Sequence, residues 1–497
     1  MITWLVKNAK VNKNRCAIVA DGETYSYQQL LNASAGFGAI LLDGKLDLQE
    51  ARVAFMVSPG FDYVQVQWAI WRAGGIAVPL CISYPLPSLQ YVIEDTQAAI
   101  VIVSAEYAAI LQPLTKEKNF RFIILQNKIQ ENSNLFKIKL PKITGNRSAM
   151  ILYTSGTTNL PKGVVTTHNN IKAQITTLIK SWQWTAEDKT ICILPLHHVH
   201  GIINVVSCAL WAGACCEFLP QFTAEAVISI FKKGEINVFM AVPTIYFKLI
   251  TYIDTQSTTE KKLLLELFKK FRLMISGSAA LPVSVMEKWA AISGHRLLER
   301  YGMTEIGMGI SNPYDGERRA GYIGKPLPGV KVRLTDEENK IVKRGQPGEI
   351  QIKGKNVFLE YWRRPEATEK TFTKDGWFKT GDVAIVEKGY YRILGRDSID
   401  IIKSGGYKIS ALEIEEVLRT HPAISDCSVI GLPSEEWGEV VAAVLISKEK
   451  DLNLSELNIW LREKMPAYKT PRQYKIIDEL PRNAMGKVTK NDLKKLF

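Results

Sequence analysis

The chain has 497 residues, of which 46% are hydrophobic and 23% charged, and it carries a net charge of +13. That length exceeds one ordinary core and predicts two or more domains, while the composition is that of a soluble globular protein. No apolar run approaches the roughly 20 residues that span a bilayer, and the lysines are scattered without a basic block or nucleic-acid motif, so partners of those two kinds are not indicated.

Seven cysteines without C-x-x-C spacing argue against a disulfide framework or a zinc site. Met1 to Arg15 carries neither a signal-peptide core nor the Arg/Ser-rich pattern of a transit peptide, which makes a cytoplasmic location the expectation. Nucleotides, coenzyme A and acidic substrates suit the positive field as well as RNA would, so charge alone does not choose among them.

Along the first 145 residues, apolar spacing predicts helices over Tyr27 to Leu42 and Phe61 to Ala73. Short strands are expected at Arg52 to Val57 and Ile100 to Val103. Such alternation predicts an α/β fold with a parallel sheet covered by helices. The Lys/Asn-rich stretch 115–145 reads as a surface excursion. Ala149 to Leu152 is then a buried strand, opening onto Tyr153-Thr154-Ser155-Gly156-Thr157-Thr158-Asn159-Leu160-Pro161-Lys162-Gly163. Hydroxyls and free amides in a glycine-containing turn can wrap phosphate oxygens, with Lys162 supplying charge; an ordinary polar loop is the bland alternative. A Walker A loop is excluded, because Lys162-Gly163 is followed by valine and Gly486-Lys487 lacks both the spaced glycine and a following Ser/Thr.

Asn169 to Trp182 reads as a helix and Thr190 to Leu194 as a strand closed by Pro195. Three of the six histidines follow at His197, His198 and His200. On an extended segment His198 and His200 would share a face, as metal ligands or as histidines hydrogen-bonded at a strand end. No clustered cysteine or acid supports a metal there. Gly277-Ser278-Ala279 follows the apolar run Leu273 to Ile275, and small residues at that place let a flat ring approach the backbone or simply form a tight turn. Asp382 ends the turn Gly376 to Gly381. Gly395-Arg396-Asp397 marks a boundary, after which about 100 residues make an ordinary small domain. Lys487, near the end, would by itself be a solvated tail lysine.

Taken together, these stretches resemble the adenylate-forming superfamily of acyl-CoA synthetases, luciferases and peptide-synthetase adenylation domains. Its phosphate loop has the form YTSGTTGxPKG, with Asn159 here in place of a glycine, and Glu299-Arg300-Tyr301-Gly302-Met303-Thr304-Glu305 resembles its YGxTE element. The resemblance implies a large N-terminal domain of layered sheets and helices, residues 1–396, and a small mobile α+β domain, 397–497. It implies ATP contacts from Thr154, Ser155, Gly156, Thr157, Thr158, Lys162, Gly277, Ser278, Ala279, Glu299, Tyr301, Gly302, Thr304, Asp382 (on the ribose) and Arg396. It implies Mg²⁺ on Glu305, consistent with that ion's preference for hard oxygens. His198, with His200, would stand beside the acyl group. Lys487 would carry the adenylation step together with Thr304 and Glu305, and the loop Lys403-Ser404-Gly405-Gly406 would meet coenzyme A. The hinge falls within Ser398 to Asp400.

Arg300 occupies a position where many members of the superfamily carry glycine. An arginine beside the acyl pocket can clamp a second carboxylate, with Ser278, His200 and Met303 completing the substrate wall; the competing reading pairs it with Glu299 or Glu317. The segments Pro195–Gly201, Asn237–Tyr246 and Ser276–Met308 resemble malonyl-CoA synthetases. The expectation is therefore ATP-dependent ligation of malonate to coenzyme A. A medium-chain or aryl acyl-CoA synthetase, an adenylation module serving a carrier-protein thiol, and a non-catalytic nucleotide-binding protein of the same fold are the rivals.

Overall fold

The structure is a computed structural model that describes residues 1–116, 119–125, 139–154, 160–397, 399–483 and 486–497. Two large sheets organise the first four-fifths of the chain. One runs in the order Lys325–Pro326, Gly307–Ser311, Leu298–Met303, Leu273–Ser276, Val238–Ala241, Lys189–Cys192, Cys215–Phe218, Cys16–Ala20, Glu23–Ser26. From Leu298–Met303 to Cys16–Ala20 its neighbours are parallel. The other contains Arg52–Met56, Ile76–Pro79, Ile100–Ser104 and the hairpin of Ser148–Thr154 with Lys162–Thr167. Their strands are near-continuous apolar runs such as Ile100 to Val103, as expected where helices cover both faces.

The predicted helices form at Tyr27–Leu42, Phe61–Arg72 and His168–Ser181. Ser26 and Thr167 start the first and last of these, each accepting the amide three residues on and completing a capping box. Two expectations need correction. The stretch 115–145 is not wholly an excursion, because Arg121–Leu125 forms a strand parallel to Ile100–Ser104. The histidine segment is not extended: a wide helical turn begins at His200 and runs to Ser207, with the Ser207 hydroxyl donating to the Ile202 carbonyl at 2.7 Å. Gly201 permits that turn, since a Cβ there would lie 2.7 Å from the Pro195 carbonyl oxygen.

A smaller antiparallel sheet, Val330–Thr335, Gly348–Gly354, Phe378–Glu387 and Tyr390–Arg396, leads to the C-terminal unit. There Tyr407–Ser410, Ile401–Ser404, Gly438–Ser447 and Ile424–Ser434 form a sheet, with Gln473–Ile476 added along Gly438–Ser447. This unit buries its own apolar clusters, one around Ile409, Ile414, Val429 and Leu461 and one around Ile430, Val444 and Leu480, which include no residue from the large unit. A separate core is what lets such a unit move as a body.

Candidate active site

Three adjacent parallel strands, Lys189–Cys192, Val238–Ala241 and Leu273–Ser276, end at one edge of the nine-stranded sheet. The residues after each of them line a single cavity of about 340 Å³: Ile193 to Pro195, His198, His200 and Gly201 after the first, Val242, Thr244 and Ile245 after the second, and Ser278 after the third. The carboxyl edge of a parallel sheet is where side chains from separate strands converge without secondary-structure constraints. Asn483 and Gly486 of the C-terminal unit close the mouth.

Arg300 lies behind the Ser278 wall, 3% exposed. Its guanidinium lies flat on Gly277, where a Cβ would come within 2.7 Å of Cζ. Nη2 donates weakly to Ser278 Oγ at 3.4 Å, Ser278 Oγ lies 3.1 Å from His200 Nδ1, and Arg300 Nε is buried without a partner. Ser278 holds this position at φ +72°, a backbone region that costs an ordinary residue strain and often marks function. Among the described residues no carboxylate pairs with Arg300. Glu299 precedes it on the strand Leu298–Met303 and so faces the opposite side; its Oε1 accepts the Leu281 amide at 3.0 Å. Glu317 is paired with Arg319 at 3.0 Å. Burial pulls Arg300 down to about 9, partly offset by the Glu299 charge, and the neighbouring His198 and His200 are also held neutral by burial, the former at about 3. A buried guanidinium without a paired carboxylate is costly until an anion meets it.

Further along, Tyr301 donates its hydroxyl to Asp382 Oδ2 at 2.5 Å and Arg396 Nε donates to Asp382 Oδ1 at 3.0 Å. Thr154 and Lys162 are register partners at the loop end of their hairpin, and the Lys162 ammonium sits 5.3 Å from the centre of the Tyr361 ring. The Tyr361 hydroxyl donates to Glu305 Oε1 at 2.9 Å. Burial raises Glu305, whereas Tyr361 and Arg396 act the other way. The hairpin that carries Thr154 and Lys162, the turn Tyr301 to Glu305 and the Asp382 strand thus approach one buried acid, Glu305. Lys487 is exposed along its side chain, yet its charge acts on His198 within the cavity wall. Desolvation and, next, Arg396 lower its pKa, and Asp382 acts the other way. Gly486 is held beside Thr244, with a built Cβ 3.1 Å from its hydroxyl.

Of the residues expected from sequence, His198, His200 and Ser278 line the cavity, with Arg300 behind them and Lys487 beside it. Glu299 is not among the cavity-lining residues, one of its carboxyl oxygens accepting the Leu281 amide and the other being buried without a partner among the described residues; Met303 packs partly buried against the core. Ser155, Gly156, Thr157 and Thr158 lie outside the described residues, as does Ser398 of the hinge interval. Lys403, Ser404, Gly405 and Gly406 stand away from the cavity: Trp437 packs on Gly405, and Lys408 on the same hairpin pairs with Glu337 at 2.7 Å. Sequence reasoning missed Tyr361, which lacks a local motif and becomes visible through packing alone, and gave no site role to Thr244 and Ile245, although both lie in the segment Asn237–Tyr246 whose resemblance was noted.

Glu299 carries a pH prediction. Burial pushes it up to about 8 from an ordinary 4.5. Between those values the folded state keeps a proton that the unfolded state has released, so stability falls as pH rises. The buried histidines His168, His197, His198 and His200 are shifted down and give the opposite slope, but only below their ordinary 6.5. Glu299→Gln keeps the acceptor for Leu281 and has no charge to bury. Its thermal midpoint is expected to fall less than the wild type's between pH ~7 and pH ~8, measured by differential scanning calorimetry.

The fold and the convergence of these motifs define an adenylate-forming enzyme: the chain belongs to the AMP-binding enzyme family, whose model matches residues 5–362, with the AMP-binding enzyme C-terminal domain matching 413–487. It is 45% identical to malonate–CoA ligase ACSF3, mitochondrial, of Bos taurus over 90% of this chain and 81% of that protein. It is 39% identical to a malonate–CoA ligase of Arabidopsis thaliana over 97% and 86%. Among solved structures, ATP-bound MatB from Rhodopseudomonas palustris superposes with a TM-score of 0.91 at 33% identity, covering 100% of this chain and 98% of that one. The apo form of the same protein superposes with a TM-score of 0.81 at 32% identity, covering 100% and 99%.

Proposed function

We propose that the chain ligates malonate to coenzyme A in two steps, consuming ATP and releasing AMP and pyrophosphate. The observation that carries the substrate is the buried Arg300 guanidinium with no carboxylate of its own, next to Ser278 and His200. One malonate carboxylate pairs with it. The other oxygen terminus attacks the α-phosphorus of ATP, and pyrophosphate leaves with the broken P–O bond. The coenzyme A thiolate then attacks the activated carbonyl, and AMP leaves with the electron pair of the C–O bond.

Each of the residues around the cavity and the buried acid has work in that scheme. Asp382, already accepting from Tyr301 and Arg396, presents a fixed carboxylate to the ribose hydroxyls. Thr154, Lys162 and Thr304 surround the phosphates, and Lys487 offsets the charge developing on the attacking and α-phosphate oxygens. Glu305 is a buried hard-oxygen donor oriented by Tyr361, which fits Mg²⁺ bound there with the remaining ligands drawn from phosphate and water; the ion when bound would neutralise the leaving pyrophosphate. The small domain, from 397 onward, then rotates about the hinge so that Gly405-Gly406 takes the place of Lys487 and admits the thiol, a motion of the hinge type. This accounts for the turn's distance from the cavity while Lys487 faces it.

The test is thioester formation from ATP, Mg²⁺ and coenzyme A with malonate, methylmalonate, acetate, octanoate or coumarate. Malonate is expected to lead. A monocarboxylate in the lead would keep the class and overturn the substrate.

A further inference from the structure

The helix Val283–Ser293 begins at the end of the segment that forms the Ser278 wall, and its start lacks a cap of its own: Pro282 stands at the N-cap and supplies no side-chain acceptor. The first amides of a helix need partners from elsewhere. The partner comes from the other domain, because Glu416, on the helix Ala411–Leu418 of the small unit, accepts the Val283 amide through Oε2 at 3.2 Å. Its other oxygen accepts from Arg419 at 3.2 Å, which aims the carboxylate. A negative charge at this helix end is also favoured by the helix dipole. One turn earlier on the same helix Glu413 reaches Arg392 of the large unit at 2.9 Å, so this face of the small domain is seated by two acids at once.

The segment from Gly277 to Val283 is therefore held at two amides. Leu281 is held by Glu299 from within the large domain, and Val283 by Glu416 from the small one. The first anchor lies within the large domain, whereas the second crosses between the domains and would be broken if the small domain turned. We propose that Glu416 is a positioning residue that couples the orientation of the small domain to the acyl wall, steadying Ser278 and Arg300 during adenylation and releasing them when the domain turns for thioester formation. This rests on the two-step reading above. Glu416 touches neither substrate nor reacting atoms, so its effect should be confined to the half-reaction carried out in this orientation.

The two half-reactions separate the possibilities. Malonate-dependent exchange of labelled pyrophosphate into ATP reads adenylation, and supplied malonyl-adenylate with coenzyme A reads thioester formation. In Glu416→Ala the exchange rate is expected to drop about tenfold, the order that one hydrogen bond to a charged group supports, with thioester formation unchanged. Glu416→Gln keeps a side-chain oxygen for Val283 and is expected to stay within about threefold of wild type in both assays, since a neutral acceptor forgoes only part of that bond. Equal losses in both half-reactions, no loss in exchange, or a Gln variant as impaired as the Ala variant would each overturn the coupling role. Absence of malonate-dependent exchange in the wild type, with exchange on another acid, would instead overturn the malonate assignment; the Glu416 comparison is then read on that acid.

Discussion

Lys487→Ala is expected to lower malonate-dependent pyrophosphate exchange on the order of 100-fold, the size seen when one preorganised charge is removed from a developing anion. Conversion of supplied malonyl-adenylate and coenzyme A to thioester should remain near wild type. The asymmetry follows from placement. Lys487 acts on His198 at the cavity and feels Arg396 and Asp382, whereas in the proposed second step its domain would have turned away. ATP binding, followed by calorimetric titration, should persist because Asp382, Tyr301 and Arg396 are untouched. Equal loss in both half-reactions would show that the lysine supports the fold rather than the first step.

Arg300→Ala carries the second large effect. With malonate, kcat/KM is expected to fall on the order of 100-fold, as when one partner of a buried charge pair is truncated. Arg300→Lys should not restore it, because a point charge cannot reproduce the planar fork lying on Gly277. Monocarboxylates should be impaired far less, since they have no second carboxylate to lose. The same residue predicts an opposite effect on stability. A buried guanidinium with Nε unpartnered and no carboxylate bonded to it among the described residues is a cost the empty protein bears, only partly offset by the Glu299 charge, so Arg300→Met should raise the thermal midpoint without substrate. Malonate should raise the midpoint of the wild type and not that of the variant, because ligand binding to the folded state stabilises it. A wild-type protein indifferent to malonate would remove the clamp.

Much of the class was legible in the chain itself. The run Thr154 to Gly163, Tyr301 to Glu305, Asp382 and Lys487 each have local spacing, and spacing survives in any fold that keeps the order. The helices Tyr27–Leu42 and Phe61–Arg72 and the strand Arg52–Met56 were also legible, because burial on one face or both writes itself into neighbouring residues. The histidine segment shows where this fails. Alternation of His198 and His200 pointed to an extended segment, yet Gly201 lets the chain close against the Pro195 carbonyl and enter a helical turn. Both histidines still reach the cavity, by a route that period-two reasoning does not contain.

Residue order alone carries the enzyme class, the succession of its motifs, and an arginine set immediately before Tyr301. Whether that arginine was spent on a structural acid was decided only in three dimensions. Strand geometry turns Glu299 to the opposite face, and Arg319 engages Glu317, which leaves the Arg300 charge for a ligand. The hydroxyl of Tyr361 on Glu305 and the carboxylate of Glu416 on the Val283 amide are decided in the same way. Each joins residues far apart in the chain, and such contacts depend on which strands and domains lie side by side, a property that no local run of residues encodes.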